Sequence, residues 1–198
     1  MIKKIYLAGG CFWGVEKFFS LLPGVTATEA GYANGATENP TYLQVCRENT
    51  GHAETVAVEY DPDIVSLSFL LECYFQAIDP LSVNRQGNDA GTQYRTGIYY
   101  TDNGSVIRGA RELSVQNADK PVEHYTDDES VIRESIRRLE CLLGRKAAIE
   151  VAPLSHFYPA EETHQQYLFK NPGGYCHIRP ELFEWAKAAR ENKKDKSV

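Results

Sequence analysis

Cys11 stands in a setting that favours reaction over packing. It follows Gly9-Gly10 and precedes Phe12-Trp13, and it lies between the strand-like stretch Ile5 to Ala8 and a helical repeat that begins at Val15. The sulfur therefore falls near the start of a helix, where free backbone N–H groups and the helix dipole favour a thiolate. The glycines allow a sharp turn that leaves the sulfur approachable, and the two aromatic rings can wall an apolar slot. This combination predicts a nucleophilic thiol whose substrate carries a small apolar group.

Five further blocks of polar, aromatic and glycine residues follow along the chain. They are Asn39-Pro40-Thr41-Tyr42 with Val45-Cys46, Thr50-Gly51-His52-Ala53-Glu54, Gly87-Asn88-Asp89 with Gly91-Thr92-Gln93-Tyr94-Arg95, Phe157-Tyr158-Pro159-Ala160-Glu161, and His164-Gln165-Gln166-Tyr167-Leu168. Together with the Gly-Cys-Phe-Trp-Gly run around Cys11, they resemble the motifs of the peptide methionine sulfoxide reductase A family in type and order. Thr163 and Thr96 stand where that family often has tyrosine and serine, and residues 119–145 match no motif of it.

The resemblance implies reduction of a methionine sulfoxide, which requires a sulfur nucleophile, a proton for the departing oxygen and a pocket for the methyl group. Cys11 is the matching nucleophile and Glu54 is the matching acid. The ordinary pKa of a glutamate is about 4.3, so an apolar pocket must raise the pKa of Glu54 by desolvation. Glu16 is a rival acid because it is closer to Cys11 in sequence, although on the following helix it can serve a structural or dipole role.

Substrate-binding residues follow from the same resemblance. Tyr42 and Tyr94 match tyrosines that hydrogen-bond the sulfoxide oxygen, and Asp89 matches a residue that helps to bind the polar backbone of the substrate. Asp89 would also suit a tight turn, since glycines flank it. Phe12 and Trp13 are the candidates for the methyl pocket, and their alternative role is ordinary core packing.

Cys176 is the thiol expected to resolve a sulfenic acid on Cys11, since the family commonly keeps a recycling cysteine in its C-terminal segment. A disulfide needs Cα atoms roughly 4.4–6.8 Å apart, and the Gly-rich run Asn171 to Tyr175 would let Cys176 reach that distance. Cys46 is a candidate auxiliary thiol because the family often has cysteine there. His164 lies in a family block, with a role of at least structural support.

The resemblance further implies an enzyme specific for the S epimer of methionine sulfoxide, free and protein-bound, with thioredoxin as reductant and no metal or organic cofactor. The cysteine count of five argues against a structural disulfide framework. The five histidines do not fall into a zinc-ligand pattern with these cysteines. Met1 is the single methionine of the chain.

Two other functions remain open from the residues alone. One is a cysteine hydrolase or acyl transferase, with Cys11 as nucleophile and His164 or His52 as base. The other is a non-enzymatic redox sensor in which Cys11 and Cys176 form a switch disulfide. A hydrolase needs an oxyanion hole and a sensor needs no substrate pocket, so the aromatic pair, the glutamate and the tyrosines favour the reductase.

Composition indicates one globular domain without a nucleic-acid or membrane partner. The chain has 198 residues, 42% of them hydrophobic and 24% charged, and a net charge of −6. Neither a run of about 20 apolar residues nor a secretory signal pattern occurs, so we expect a cytoplasmic protein. We also expect a monomer. The domain prediction is a catalytic core over residues 1–170, with residues 171–198 as a segment of the same domain that carries the resolving cysteine.

Periodicity predicts the elements that position these residues. Strands are expected at Ile2 to Ala8, Thr26 to Tyr32, Glu54 to Tyr60, Gly97 to Thr101 and Ala148 to Ala152. Helices are expected after Cys11, over Leu67 to Ile78, around Val106 to Leu113, around Ile132 to Leu143 and over Pro180 to Ala189. Strands mixed with helices indicate an α/β or α+β protein. The resemblance implies an α+β ferredoxin-like (α/β plait) domain with an irregular C-terminal segment.

Overall fold

The chain folds into a mixed β-sheet with helices packed on it. The computed structural model describes residues 1–101 and 127–191. Its elements, in chain order, are β1 (Lys3–Gly9), α1 (Phe12–Ser20), β2 (Val25–Ala33), α2 (Tyr42–Arg47), β3 (Ala53–Tyr60), α3 (Leu67–Ala77), β4 (Arg85–Gln86), β5 (Asp89–Ala90), the 3₁₀ helix Thr92–Tyr94, β6 (Thr96–Tyr100), α4 (Asp127–Leu143), β7 (Glu150–Pro153), β8 (Phe157–Pro159), α5 (Tyr167–Lys170) and α6 (Pro180–Ala188). The architecture is thus α and β mixed, as expected.

The six strands of the main sheet follow the order β7-β6-β1-β3-β2-β8. All neighbours in it are antiparallel except β6 and β7, which are parallel. Strand β1 lies inside the sheet, so that Tyr6 stands opposite Ala57 on β3 and Tyr99 on β6. On the other side of β3, Glu54 stands opposite Tyr32 on β2. The chain leaves the sheet interior at the end of β1, and Cys11 therefore sits beside the central strands. Strands β4 and β5 form a separate two-stranded hairpin.

The core lies between the sheet and its helices. Helix α1 packs against β2 and β3, and α3 packs against α4. The largest fully buried side chains are aromatic and aliphatic: Tyr32, Tyr60, Tyr74, Tyr99, Phe12, Phe18, Phe19, Ile5, Leu7, Leu70, Leu71 and Ile98. Met1 is fully exposed. In the ranges that the structure describes, no helix is long and apolar enough to cross a bilayer.

Local sequence sets several of the helix ends. Thr41 begins α2 with a capping box, since its side chain accepts from Gln44 N and the Gln44 side chain accepts from Thr41 N. Ser66 caps α3 by accepting from Phe69 N at 3.2 Å. Pro180 opens α6 at the first helical position, where its missing N–H costs nothing.

The five predicted strands are confirmed as β1, β2, β3, β6 and β7, with ends displaced by no more than two residues. The predicted helices are confirmed as α1, α3, α4 and α6, whereas the one around Val106 to Leu113 lies outside the described residues. Helix α4 occupies most of the segment 119–145 that matched no motif. The prediction missed α2, α5, β8 and the β4-β5 hairpin, because elements of two to six residues show too little periodicity to be recognised.

Candidate functional site

Cys11 occupies the N-cap of α1, directly after the turn that ends β1. Gly10 makes this turn with φ of +84°, and a Cβ there would lie only 2.5 Å from Gln86 Cβ, so glycine is required for both conformation and space. The predicted position at a helix start is confirmed. The thiol is nevertheless 7% exposed, which makes it buried rather than open.

Glu54 is the acidic side chain that the fold brings to this helix start. It points from β3, is 1% exposed, and its Oε2 accepts a hydrogen bond from the Phe12 backbone N–H at 3.0 Å. Its Oε1 is buried and has no hydrogen-bond partner among the described residues. Burial raises the pKa of Glu54 to about 8, against the effect of the Phe12 N–H and with a contribution from the charge of Asp89. A protonated carboxyl with a free oxygen therefore lies beside Cys11.

The electrostatics of Cys11 differ from the expectation of a thiolate at a helix start. Burial raises the pKa of the Cys11 thiol, and the charge of Glu54 raises it further. The Trp13 backbone N–H, the helix contribution that we predicted, acts in the opposite direction but is outweighed. Desolvation by burial is the largest of these effects, so the resting sulfur is a thiol.

Aromatic rings form a wall beside this pair of groups. The Phe12 ring lies 6.4 Å from that of Tyr42 and 5.6 Å from that of His164, between ring centroids. Trp13 Nε1 donates to His164 Nδ1 at 3.1 Å, and its ring stacks on Tyr167 with centroids 3.7 Å apart. We call these five rings the aromatic wall. Burial lowers the pKa of His164, so this imidazole is a neutral member of the wall.

Tyr42, Tyr94 and Cys46 lie together next to Glu54. Burial raises the pKa of both phenols, with contributions from Cys46 and Glu54, so both hydroxyls stay protonated and can donate. Cys46 interacts with both tyrosines, and burial raises the pKa of its thiol. Glu161, which has no predicted role, fixes Tyr42 by accepting from its backbone N–H at 2.8 Å.

Asp89 closes another side of the site from β5, where its Oδ2 accepts from the Tyr175 hydroxyl at 3.0 Å. Its charge acts on Cys11, Glu54 and Tyr94. Sequence reasoning missed Tyr175 as a partner of Asp89, although its position beside Cys176 was a usable signal.

Cys176 packs on the first turn of α1. A Cβ on Gly14 would lie 2.8 Å from the Cys176 sulfur, which accepts from the Ile178 backbone N–H at 3.3 Å. Burial raises the pKa of the Cys176 thiol, while that N–H and the charge of Lys17 lower it. The charge of Cys176 also acts on Cys11. The structure therefore places the two thiols at the same end of α1.

Glu16 lies apart from this cluster. It is 1% exposed, and its Oε2 accepts from the Gln166 backbone N–H at 2.7 Å. The largest influences on the Cys11 thiol come from burial, Glu54, Trp13, Asp89 and Cys176, and Glu16 is not among them.

The two imidazoles considered as bases for a hydrolase are engaged elsewhere. His164 uses Nδ1 to accept from Trp13. His52 places Nε2 2.8 Å from the Thr37 carbonyl oxygen, and its ring packs near those of His156 and Tyr158. Neither is among the largest influences on Cys11, which counts against the hydrolase. Across the described part of the chain, no three His, Cys, Asp or Glu side chains are grouped to hold a metal ion.

Comparison with known proteins identifies the family. The family model "Peptide methionine sulfoxide reductase" matches residues 3–122 and 120–197, and so includes the segment 119–145 in which we found no motif. The peptide methionine sulfoxide reductase MsrA of Lachnoclostridium phytofermentans is 50% identical over 96% of this chain and 100% of its own length.

Solved structures give the same result. Methionine sulfoxide reductase A of Corynebacterium diphtheriae aligns with a TM-score of 0.70 at 37% identity, over 88% of this chain and 77% of that one. Reduced Mxr1 from Saccharomyces cerevisiae aligns with a TM-score of 0.73 at 32% identity, over 90% and 91% of the two chains. Mxr1 in complex with Trx2 aligns with a TM-score of 0.51 at 21% identity, over 84% of each chain, which shows the fold alone. Because the family model spans nearly the whole chain and a relative is 50% identical over 96% of it, the chain belongs to the peptide methionine sulfoxide reductase family.

Proposed function

We propose that this protein reduces the S epimer of methionine sulfoxide, both free and within proteins, to methionine. The observation that carries the proposal is the unpartnered Oε1 of Glu54, buried beside the Cys11 thiol and beneath the aromatic wall. A sulfoxide offers what this site lacks: an oxygen that accepts a proton, a sulfur open to attack and a methyl group for the apolar slot.

The first half of the proposed reaction transfers the sulfoxide oxygen to Cys11. The Cys11 sulfur attacks the sulfoxide sulfur while Glu54 protonates the oxygen, and Tyr42 and Tyr94 donate hydrogen bonds to that oxygen. The bond between the two sulfurs and the sulfur–oxygen bond of the substrate then break as the oxygen forms a bond to Cys11. Methionine leaves in its reduced state, Cys11 becomes a sulfenic acid, and the thiol proton restores Glu54.

Binding and orientation fall to the rest of the site. Phe12 and Trp13 would hold the methyl group, since their rings form the apolar side of the wall. Asp89 would bind the polar backbone of the substrate after exchanging its Tyr175 hydrogen bond. His164 would support Trp13, and Cys46 would hold the two tyrosines or act as an auxiliary thiol.

The second half resolves the sulfenic acid. The Cys176 sulfur attacks the Cys11 sulfur, the hydroxyl leaves as water after taking up a proton, and a disulfide remains. The packing of Cys176 on Gly14 supports this pairing. A dithiol protein must then reduce the disulfide, and we propose thioredoxin because the related Mxr1 has been solved with Trx2. Such recycling suits a reducing compartment, and we propose the cytoplasm.

We propose that the fold is a ferredoxin-like plait. Its support is the sheet order β6-β1-β3-β2 together with the chain order β1-α1-β2-β3-α3-β6, which is a split βαβ arrangement once the inserted α2, β4-β5 hairpin and 3₁₀ helix are set aside. We also propose residues 171–198 as part of the same domain as residues 1–170. This is supported by Ile178, Ala186 and Ala189, which are buried in the main core.

The test is reduction of separated S and R epimers of a methionine sulfoxide peptide, with dithiothreitol as donor and Cys11→Ser as control. We expect turnover of the S epimer alone and its loss in Cys11→Ser. Failure of the folded, reduced protein to turn over either epimer would contradict the proposal. Substantial turnover by Cys11→Ser would remove Cys11 from the nucleophile role.

A further inference from the structure

Glu16 is a buried acidic group that the proposed mechanism does not use. Its Oε2 accepts from the Gln166 N–H, while its Oε1 has no hydrogen-bond partner among the described residues. A buried carboxyl that is only half satisfied costs free energy, so an apolar residue at this place in α1 would ordinarily favour folding. The hydrogen bond from the Gln166 N–H to Glu16 therefore indicates what this residue contributes.

Glu16 holds a turn that is unusual in its backbone. Gln166 has φ of 51° and ψ of 35°, the left-handed conformation that is unfavourable for a residue other than glycine. The turn is tied to β2 on its other side, where Gln165 Oε1 accepts from Ala30 N at 2.9 Å and Gln165 Nε2 donates to Ala30 O at 2.8 Å. Glu16 thus anchors to α1 a turn that is also anchored to the sheet.

The residues on either side of Gln165 and Gln166 are the two rings that cover Trp13. His164 accepts the hydrogen bond of the indole N–H, and Tyr167 stacks on the indole face. Trp13 and Glu16 are three positions apart on α1 and are therefore neighbours on its surface. Helix α1 therefore carries both Trp13 and Glu16. The Glu16 carboxyl fixes the turn whose neighbouring residues, His164 and Tyr167, cover the Trp13 ring.

We propose that Glu16 is a positioning residue for substrate binding. Through the Gln166 backbone it holds His164 and Tyr167 against Trp13, and so keeps the aromatic wall in the shape that accepts the sulfoxide methyl group. This inference rests on the proposed function. It gives Glu54 and Glu16 different roles, since Glu54 supplies the proton and Glu16 fixes the geometry of the aromatic wall.

Two variants of Glu16 distinguish shape from acid chemistry. Glu16→Gln keeps a carbonyl oxygen for the Gln166 N–H but cannot supply a proton, whereas Glu16→Met keeps the length and removes the acceptor. We expect Glu16→Met to raise KM for a methionine-S-sulfoxide peptide by about tenfold, with a kcat changed less than about threefold. Glu16→Gln should keep both constants within about threefold of wild type. The exposed Glu162→Gln, beside the same turn, serves as the matched control.

A spectroscopic measurement makes the test independent of turnover. In a Trp185→Phe background, Trp13 is the single tryptophan, and its emission reports its contacts with His164 and Tyr167. We expect this emission to change in Glu16→Met and to stay unchanged in Glu16→Gln.

Unchanged KM and emission in Glu16→Met would overturn the proposal, as would a collapse of kcat in Glu16→Gln. If Glu16→Met does not fold, the isosteric Gln variant still decides between acid and positioning roles. A wild-type protein inactive on both epimers would contradict the proposed function, while the emission would still test the placement of the turn.

Discussion

Glu54 shows how burial turns an ordinary carboxylate into a group that can donate a proton near neutral pH. The carboxyl receives one backbone N–H, but enclosure by the sheet and α1 outweighs this bond and raises its pKa to about 8. The protonated form therefore persists below about pH 8 and is lost as the pH rises through that value. Tyr42 and Tyr94 remain protonated over the same range, because burial raises their pKa as well.

Replacement of this acid should slow chemistry without disturbing the site. Glu54→Gln keeps an oxygen for the Phe12 N–H and loses the proton, so we expect the single-turnover rate to fall by roughly 10²–10⁴-fold. The wild-type decline of this rate above about pH 8 should also be missing from the variant. Rapid-quench measurement with excess enzyme gives both quantities. Glu59→Gln is the control, since Glu59 lies on the same strand and pairs with Lys4 at the surface. An unchanged rate in Glu54→Gln would transfer the role of acid to a tyrosine.

The two thiols should divide the catalytic cycle between them. Cys176→Ser can form the sulfenic acid on Cys11 but cannot resolve it, so we expect about one methionine per enzyme with thioredoxin as donor. Quantifying product against enzyme concentration tests this. The exposed Cys141→Ser should behave as wild type. Sustained turnover by Cys176→Ser would mean that Cys46 or another thiol resolves the intermediate.

At the scale of elements, α1 is the part that organises the site. Its N-cap holds the proposed nucleophile, its first turn carries the two rings proposed for the methyl pocket, and Gly14 gives room for the Cys176 sulfur. Much of this was predictable, because the helical repeat and the glycines before Cys11 are visible in the sequence. The resting thiol form of Cys11 was not, since it depends on how deeply the folded chain buries the sulfur.

A methyl group on Gly14 should separate the two halves of the reaction. Alanine favours helix over glycine by about 1 kcal/mol, so Gly14→Ala does not weaken α1. Its Cβ would displace the Cys176 sulfur, and we expect disulfide formation after one oxidation to slow by about tenfold, while the first methionine forms at the wild-type rate. Quenched thiol counting over time measures this. Gly173→Ala is a matched control in the same C-terminal segment, because its Cβ would meet open space. Equal rates of disulfide formation in the Gly14 variant and wild type would show that Cys176 does not need to pack against Gly14 in order to react.

The short elements are the part of the fold that the sequence did not predict. The long strands and helices follow from hydrophobic periods, whereas α2 and α5 are too short to show one. The turn through Gln166 is held by long-range hydrogen bonds, from its backbone N–H to Glu16 and from the Gln165 side chain to β2. No local sequence pattern predicts such bonds. The residues that this turn positions, His164 and Tyr167, could be flagged from their motif but not assigned to Trp13.

At the scale of the whole molecule, stability should depend on the core between the sheet and the helices rather than on the site. Leu70 on α3 is fully buried, so Leu70→Ala leaves a cavity and should lower the free energy of unfolding by about 2–5 kcal/mol. Leu142→Ala removes the same atoms from an 86% exposed side chain and should change the free energy of unfolding by less than about 0.5 kcal/mol. Urea denaturation of both variants measures the difference. A loss in Leu70→Ala as small as that in Leu142→Ala would contradict this description of the core.

The composition of that core has a consequence for a protein that handles oxidised sulfur. A thioether converted to its sulfoxide becomes polar and can break up the packing around it, yet the one thioether of this chain, Met1, is fully exposed. Away from the site, the buried sulfur of the described residues belongs to Cys73, and burial raises the pKa of this thiol to about 12, which favours the far less reactive thiol form over the thiolate. Apart from the cysteines of the site, the described core therefore offers an oxidant neither a thioether nor a reactive thiolate.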